Sequence, residues 1–505
     1  MARPCDRLAL GAVLLAALTW APLSRAGGPL GPNGSPITTS EYSLDVYQGP
    51  VFAGTRVTGL GGAYVAIAED VDGDLQNAAT PAVRPFFSNT YFDYWLGFGV
   101  TFPATLSKVD FFNSGSTTSL QNAPDSFVFF TPALNLQFGE FGVGGTLEMQ
   151  QYAISGGIDN SSVRVTIPTY HVQVAHGFAN NQWVFGLGAR IVTMAATGPT
   201  NEDSGFKSTG SGLEFGAVYK PEWMPFRLGA AVRTGIRTVA TFREGVSPDE
   251  NGDLVVDTPG GPPAYLPKTV ALPYDVNFGF AVQFGKRPFN PPWRSTSDLI
   301  ERETLLHRVR TLDREEELEQ RLEWAKTQEE ADEIRRTIAN SQALDDRQLD
   351  EKLRVAAEHA QEQLRMMNRF YVQLTASMLI SGPAEQAVGV ESLVSQVVNR
   401  SGQKTVISER LGIEVGVVPD NLKLRAGSYL EPSRFETSDE RLHGTAGIDI
   451  RLIKWNVFGL WPDDYIWRLG LGGDISRRYY TWGLTLGGWY PRRPGLPDSA
   501  AKVPE

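Results

Sequence analysis

From Val270 to Phe284 every second residue is apolar. Val270, Leu272, Tyr274, Val276, Phe278, Phe280, Val282 and Phe284 alternate with Ala271, Pro273, Asp275, Asn277, Gly279, Ala281 and Gln283. A period of two sends successive side chains to opposite faces of a strand, so one face here is greasy and the other small or polar. Length gives this pattern its force. Strands of soluble sandwiches average about five or six residues, whereas crossing a bilayer takes about 9–11 tilted residues. Near the end of the chain Tyr480, Trp482, Leu484, Leu486 and Tyr490 alternate with Thr481, Thr485 and Gly487. Aromatics at both ends of that apolar face suit the two interfacial girdles of a membrane barrel. Leu422, Leu424 and Leu430 alternate with Lys423, Arg425 and Glu431. No apolar run beyond the N-terminal region reaches the roughly 18 residues of a transmembrane helix. Long strands without such a helix leave a soluble β protein or a closed membrane barrel, and the strand lengths favour the barrel.

The expected architecture is all-β, an antiparallel transmembrane barrel of about 14 strands. They are placed at 87–103, 125–137, 141–155, 163–178, 181–196, 210–220, 225–242, 268–285, 369–381, 405–418, 421–431, 441–455, 465–475 and 478–490. An even count is usual for a bacterial barrel. Connections after even strands are tight, at Gly139-Glu140, Ala179-Asn180, Pro221 to Met224 and Pro419-Asp420, while most of those after odd strands are longer. Short periplasmic turns and long outer loops are the barrel rule, and this parity places both termini in the periplasm. The domain organisation follows: a signal at 1–26, an N-terminal plug segment at 27–84, barrel strands at 85–285 and 369–490, an insertion at 286–368, and a flexible tail at 491–505.

The insertion begins with Pro288, Pro291 and Pro292 and then turns strongly charged. Leu305, Val309, Leu312, Leu318, Leu322, Ala325, Ile334 and Ile338 recur at helical spacing, and Ser341 to Asp346 reads as a turn with N-cap residues. A second helix is expected from about Leu349 to Met367, giving an antiparallel hairpin whose first arm is roughly 65 Å long at 1.5 Å per residue. Parity hangs it in the periplasm. It is either an arm that docks an unknown periplasmic protein or a solvated spacer packed only on itself.

Arg3 and Arg7 before an apolar Leu8 to Trp20, then Ser24-Arg25-Ala26, read as a secretory signal and its cleavage site. The only cysteine, Cys5, lies inside it, so the mature chain has no disulfide and no thiolate metal site. Removing Arg3, Arg7, Arg25 and Asp6 takes 46 basic and 57 acidic residues to 43 and 56, an acidic balance that argues against nucleic acid as a partner.

Close to the mature N-terminus stand Gly59-Leu60-Gly61-Gly62-Ala63-Tyr64 and Ile67-Ala68-Glu69-Asp70, with Asn77 seven residues after Asp70. Small residues allow close backbone packing and the acidic pair can turn the chain. This segment resembles the one preceding the first strand in outer-membrane barrels of the FadL and PorV type, including the hydrophobic-compound transporters of the TodX kind. Where that family usually has Asn-Pro-Ala, this chain has Asn77-Ala78-Ala79, with Pro81 two residues on. The resemblance implies a fourteen-stranded barrel plugged by its N-terminal segment, with Gly59, Gly61, Gly62, Ala63, Asp70 and Asn77 as the plug motif. It also implies passage of hydrophobic or amphipathic, fatty-acid-like molecules in the FadL branch. In the PorV branch it implies a non-transporting barrel that scaffolds or shuttles proteins. The FadL branch has a kinked third strand that opens sideways. Gly142, Gly144 and Gly145 in the third strand are either that gate or ordinary packing against the plug.

Inward positions carry charge: Arg190, Asp275, Arg425, His443, Asp449, Arg451, Arg468 and Asp474. Charges inside a barrel need partners or water. They form either a network bracing the plug or a selectivity zone for a head group such as a carboxylate, with Arg425 and Arg451 as clamps. Asp70-x-Asp72-Gly73-Asp74 and Asp249-x-Asn251-Gly252-Asp253 resemble calcium turns, but Leu75 and Leu254 stand where an EF-hand needs Gly, so no metal and no cofactor are expected. His307 and His359 sit on the insertion, and His171 and His176 share a strand without a serine elbow. Neither a phosphate-binding loop nor HExxH occurs. The reading is a non-enzymatic outer-membrane barrel.

Overall fold

The computed structural model describes residues 30–490 except 86–87, 89–90, 104–108, 116–127, 156–161, 198–204, 243–245, 257–262, 292, 294–295, 367–369, 419–420, 437 and 457–465. The expected signal, the C-terminal tail and the Pro419-Asp420 turn lie outside the described residues. Fourteen antiparallel strands close into a barrel. They are β1 Phe92–Pro103, β2 Val128–Phe138, β3 Phe141–Ser155, β4 Ser162–Phe178, β5 Trp183–Thr197, β6 Gly205–Tyr219 and β7 Phe226–Arg233. The second half comprises β8 Asp275–Gly285, β9 Tyr371–Ser381, β10 Val406–Val418, β11 Leu422–Glu431, β12 Arg441–Lys454, β13 Ile466–Ser476 and β14 Tyr479–Tyr490. Each strand pairs with its chain neighbours, and β1 pairs with β14 to close the ring.

The burial pattern is inverted relative to a water-soluble protein. On β4 Val172 is 59% exposed on the outer face while Gln173 beside it is 2% exposed inside. Outer-face Phe278, Phe280 and Phe284 of β8 are likewise exposed, and inner-face Asn277 and Gln283 are buried. Aromatics gather at both rims: Trp183 stacks on Tyr219 at 4.1 Å near the tight turns, and Phe102 on Trp482 at 4.7 Å at the other end. An apolar outer belt over a polar interior is stable only where lipid replaces water outside.

The tight turns lie at one end. Between β4 and β5 Ala179, Asn180 and Asn181 all take left-handed φ values of 52, 58 and 63°, a conformation asparagine tolerates better than most residues. At the opposite end the connections build a cap. Ser43–Asp45 lies parallel between Thr269–Leu272 and Ala387–Gly389, and Ile236–Val239 pairs on the far side of Thr269–Leu272. The largest apolar cluster forms here, around Leu44, Phe111, Tyr152, Val165, Met194 and Val388.

This cap corrects three expectations. The described N-terminal residues sit at the long-loop end, opposite the tight-turn end where parity put the terminus, because the segment itself crosses the lumen before β1 and parity counts only barrel strands. The expected strands 225–242 and 268–285 are shorter in the barrel, ending at Arg233 and starting at Asp275. Pro273 lacks the N–H a continuous ladder needs, so Thr269–Leu272 separates from β8. Val270 and Leu272 therefore serve the cap rather than the lipid face.

Within the lumen α1 (Thr55–Gly59) and the turns after it pack a second cluster of Val51, Val57, Leu60, Tyr64, Ile67 and Leu75. Between β8 and β9 stand two long helices, α2 Thr296–Trp324 and α3 Gln328–Met366. The hairpin turns at Ala325 to Thr327, not at Ser341 to Asp346, and α2 is about 43 Å long at 1.5 Å per residue. Thr327 accepts the Glu330 N–H at 3.2 Å while Glu330 accepts the Lys326 N–H at 3.0 Å, a local capping arrangement that starts α3. Ser341 and Asp345 stay helical and face α2, where Arg314 donates to the Ser341 carbonyl and pairs with Asp345.

Candidate functional site

The N-terminal segment is held inside the barrel by charge. Arg56 on α1 pairs with Glu414 of β10 at 3.0 Å, and with Glu69 at 3.3 Å and Asp70 at 3.1 Å within the segment. Glu414 also takes Arg425 of β11, which forks onto Asp449 of β12 at 2.8 and 2.6 Å. Asp449 meets Arg468 of β13 at 3.4 Å, and Arg468 returns to Asp72 of the segment at 2.8 Å. The result is a ladder of alternating charges, buried throughout, whose two ends lie on the N-terminal segment. Pairing of this kind offsets the cost of burying each charge. Arg425 is thus committed to two carboxylates, and Arg451, at the tight-turn end of β12, is only partly buried.

The glycine-rich motif has a steric basis. Gly61 has φ 61°, and a Cβ there would lie 2.8 Å from the Ser428 carbonyl and 2.9 Å from that of Leu411. A Cβ on Gly59 would meet the Gly447 Cα at 3.0 Å, and one on Gly62 would meet Arg410 and Val51 at 2.8 Å. The Ala63 carbonyl accepts from Thr375 at 2.8 Å. Asn77 donates to the Val65 carbonyl at 2.8 Å and reaches those of Ala217 and Ala230 at 3.2 and 3.3 Å, stitching the segment to β6 and β7. On β3, a Cβ at Gly142 would fall 2.1 Å from the Pro81 carbonyl oxygen and one at Gly144 2.6 Å from the Pro81 ring, whereas Gly145 has open space. Gly142 and Gly144 admit the segment to the wall. Ladder pairing also lapses on one flank of β3 and on the far flank of β4. Between β2 and β3 it skips Thr131 and Pro132, and between β4 and β5 it skips Ile167 and Pro168.

Below the cap lies a cavity of about 170 Å³ between the segment and the wall of β3–β5 and β7–β10. Val46, Phe52, Leu75, Ile167, Val192 and Leu379 give it an apolar side. Its polar side holds a second charge cluster. Asp275 meets Arg233 at 3.2 Å and Arg190 at 3.9 Å; Glu214 meets Arg233 at 3.3 Å and His171 at 3.1 Å. Arg190 also donates to the Thr234 carbonyl at 2.8 Å. Arg410 on β10 differs from these. It is 7% exposed and lines the cavity, yet its contacts are Ser408 Oγ and the Gly62 carbonyl, both at 3.4 Å, with no carboxylate in ion-pair range among the described residues. Among the described residues, three buried polar atoms on the cavity wall lack hydrogen-bond partners: Arg190 Nε, Asn277 Oδ1 and His171 Nε2, the last 3.6 Å from the Glu148 carboxylate.

Of the sequence-predicted lumen residues, Arg190 and Asp275 meet at this cavity, while Arg425 and Asp449 belong to the anchoring ladder. His443 stands apart, its ring nitrogens facing Asp474 at 2.8 Å and Glu431 at 2.7 Å, a fit for a ring donating from both sides. In the first acidic turn Asp70 and Asp72 go to arginines, and Asp74 accepts from Asn135 at 2.9 Å and Thr146 at 3.0 Å, so the carboxylates diverge. In the second, Asp249 accepts the Asn251 and Asp253 N–H groups at 2.9 Å, and Asp253 accepts from Thr39 and Ser40. The sequence reading missed Arg410 and Glu414. Period two on β10 exposes both, since Ser408, Arg410, Gly412 and Glu414 share a face.

The crystal structure of a Pseudomonas aeruginosa FadL homologue is 10% identical, covers 88% of this chain and 99% of its own, and superposes with a TM-score of 0.46. The CymD monoaromatic hydrocarbon channel gives 10%, 88%, 97% and 0.44. The Pseudomonas putida toluene transporter TodX gives 12%, 89%, 98% and 0.42. In fold, the chain is similar to FadL-type channels. The barrel itself rests on the closed strand ladder. No protein-family model matches the chain, and no curated protein matches it.

Proposed function

We propose that this protein is an outer-membrane channel for amphipathic small molecules, apolar in body and anionic at one end, passing a lumen plugged by residues 27–84. One observation carries the reading: the cavity of about 170 Å³ sets an apolar wall against Arg410, a buried guanidinium without a carboxylate partner among the described residues. An unpaired buried charge is costly, and a ligand carboxylate would offset it with charge-assisted hydrogen bonds. The apolar wall would take the ligand's body. The lapse in pairing beside Pro168 borders the same cavity at Ile167 and, with the one beside Pro132, supports a sideways exit near β3, with Gly142, Gly144 and Gly145 in its wall. The chain acts by conduction and not by catalysis.

Flux into liposomes tests this. Wild-type protein should pass an alkyl carboxylate faster than the neutral hydrocarbon of equal length. Arg410→Gln should lower carboxylate flux on the order of tenfold, the worth of one charged hydrogen bond, and leave the hydrocarbon unchanged. Equal loss of both, or no flux through the wild type, would overturn the reading.

A further inference from the structure

The helical arm has two apolar seams, and the fold uses one. His307, Thr311, Arg314, Leu318 and Leu322 turn toward α3, meeting Asp346, Asp345, Ser341 and the Ile334–Ile338 turn; His307 pairs with Asp346 at 3.0 Å. Leu305, Val309 and Leu312 do not join them. At about 3.6 residues per turn they fall on the opposite side of α2, where they are 58, 48 and 57% exposed. Leu306 widens the stripe. Four large aliphatic side chains in water on one helix face form a patch that a partner would cover.

Charge identifies the partner. Toward the tip the same face passes from the aliphatic stripe to Glu316, Glu319 and Glu323, and ends beside Trp324, which is 82% exposed. From Asp313 to Glu333 ten carboxylates stand against three cations. A second copy is a poor occupant. Arms of two barrels in one membrane emerge from the same end and run the same way, so equivalent faces would oppose glutamate to glutamate. We propose that the outward face of α2 docks a cationic amphipathic helix of a soluble protein. Its apolar stripe covers Leu305, Val309 and Leu312, and its Lys or Arg residues face Glu316, Glu319 and Glu323. Trp324 offers a cation–π contact at the far end. The inference is independent of what crosses the lumen.

Full-length protein in phosphatidylcholine nanodiscs is titrated into a labelled Leu/Lys amphipathic peptide and into its Leu/Glu counterpart, with anisotropy as readout and empty nanodiscs as background. The Leu/Lys peptide should bind on the order of tenfold tighter than the Leu/Glu peptide. Val309→Ser with Leu312→Ser should lose a similar factor, and Glu316→Lys with Glu319→Lys should reverse the preference. Helical content by circular dichroism should hold in both variants, since every substituted residue is exposed. Equal affinity for the two peptides, binding no better than to empty discs, wild-type affinity in both variants, or self-association through 296–366 would each overturn the proposal.

Discussion

At the residue scale the lumen is governed by pairing. Glu414 is fully buried between Arg56 and Arg425, so Glu414→Gln leaves two guanidinium groups short of a counter-charge. Breaking a buried pair in this way costs about 3–5 kcal/mol. Thermal unfolding in detergent should show a large fall in midpoint, and a wild-type midpoint would show that water already screens the ladder. Arg451→Ala, at the rim, should change stability by less than about 0.5 kcal/mol. The glycines of β3 make a sharper contrast. Gly142→Val drives a side chain into the Pro81 carbonyl and should displace the N-terminal segment, raising bilayer conductance, whereas Gly145→Val meets open space and should not. Equal conductance in the two variants would count against a sealing role for that contact. Period two marked Arg425, Asp449 and Arg468 as inward, though Glu414 was missed. It could not say which carboxylate each arginine takes, because partners such as Arg56 and Glu414 are 358 residues apart in sequence.

At the element scale the cap carries a pH-sensitive contact. Glu391, just before the short helix α4 Ser392–Ser395, is pushed up to about 7 from 4.5 by burial; the Ser114 hydroxyl, at 2.6 Å, opposes the shift and Asp110 adds to it. A carboxyl raised on folding stabilises the fold fully below its unfolded value, and that contribution is lost as pH climbs through the folded value. The contact between 109–115 and 387–395 should therefore be tight at about pH 5.5 and looser at about pH 8.5. Hydrogen exchange corrected for intrinsic rate should show more frequent opening of 387–395 at the higher pH. Unchanged opening, or the reverse order, would exclude Glu391 as the cause. Strand existence and most strand ends were legible because lipid outside and a polar lumen inside impose alternation on every residue. The cap was not legible, because Ser43–Asp45, Thr269–Leu272 and Ala387–Gly389 are three- and four-residue pieces that become a sheet only when brought together.

At the scale of the whole molecule the barrel and the arm are separable. Gly285 and Tyr371 are register partners across the β8–β9 pair, so the strands meet without help from the helices. Replacing 296–366 by a short Gly/Ser linker should leave heat-modifiable migration on gels intact and shift the unfolding midpoint little, since an insertion with self-contained packing is tolerated. Loss of the compact band would mean that the arm supports the barrel. The sequence by itself determined the closed fourteen-strand barrel, its lipid-facing belt and the presence of a helical pair, because period two, period 3.6 and run length are local signals. Only the tertiary structure decided that the N-terminal segment starts in the cap and threads the lumen. It alone paired the ladder from Arg56 to Asp72, set Arg410 at the cavity without a carboxylate among the described residues, and turned one stripe of α2 away from α3. Each of these depends on which distant surfaces meet, and no local period encodes that.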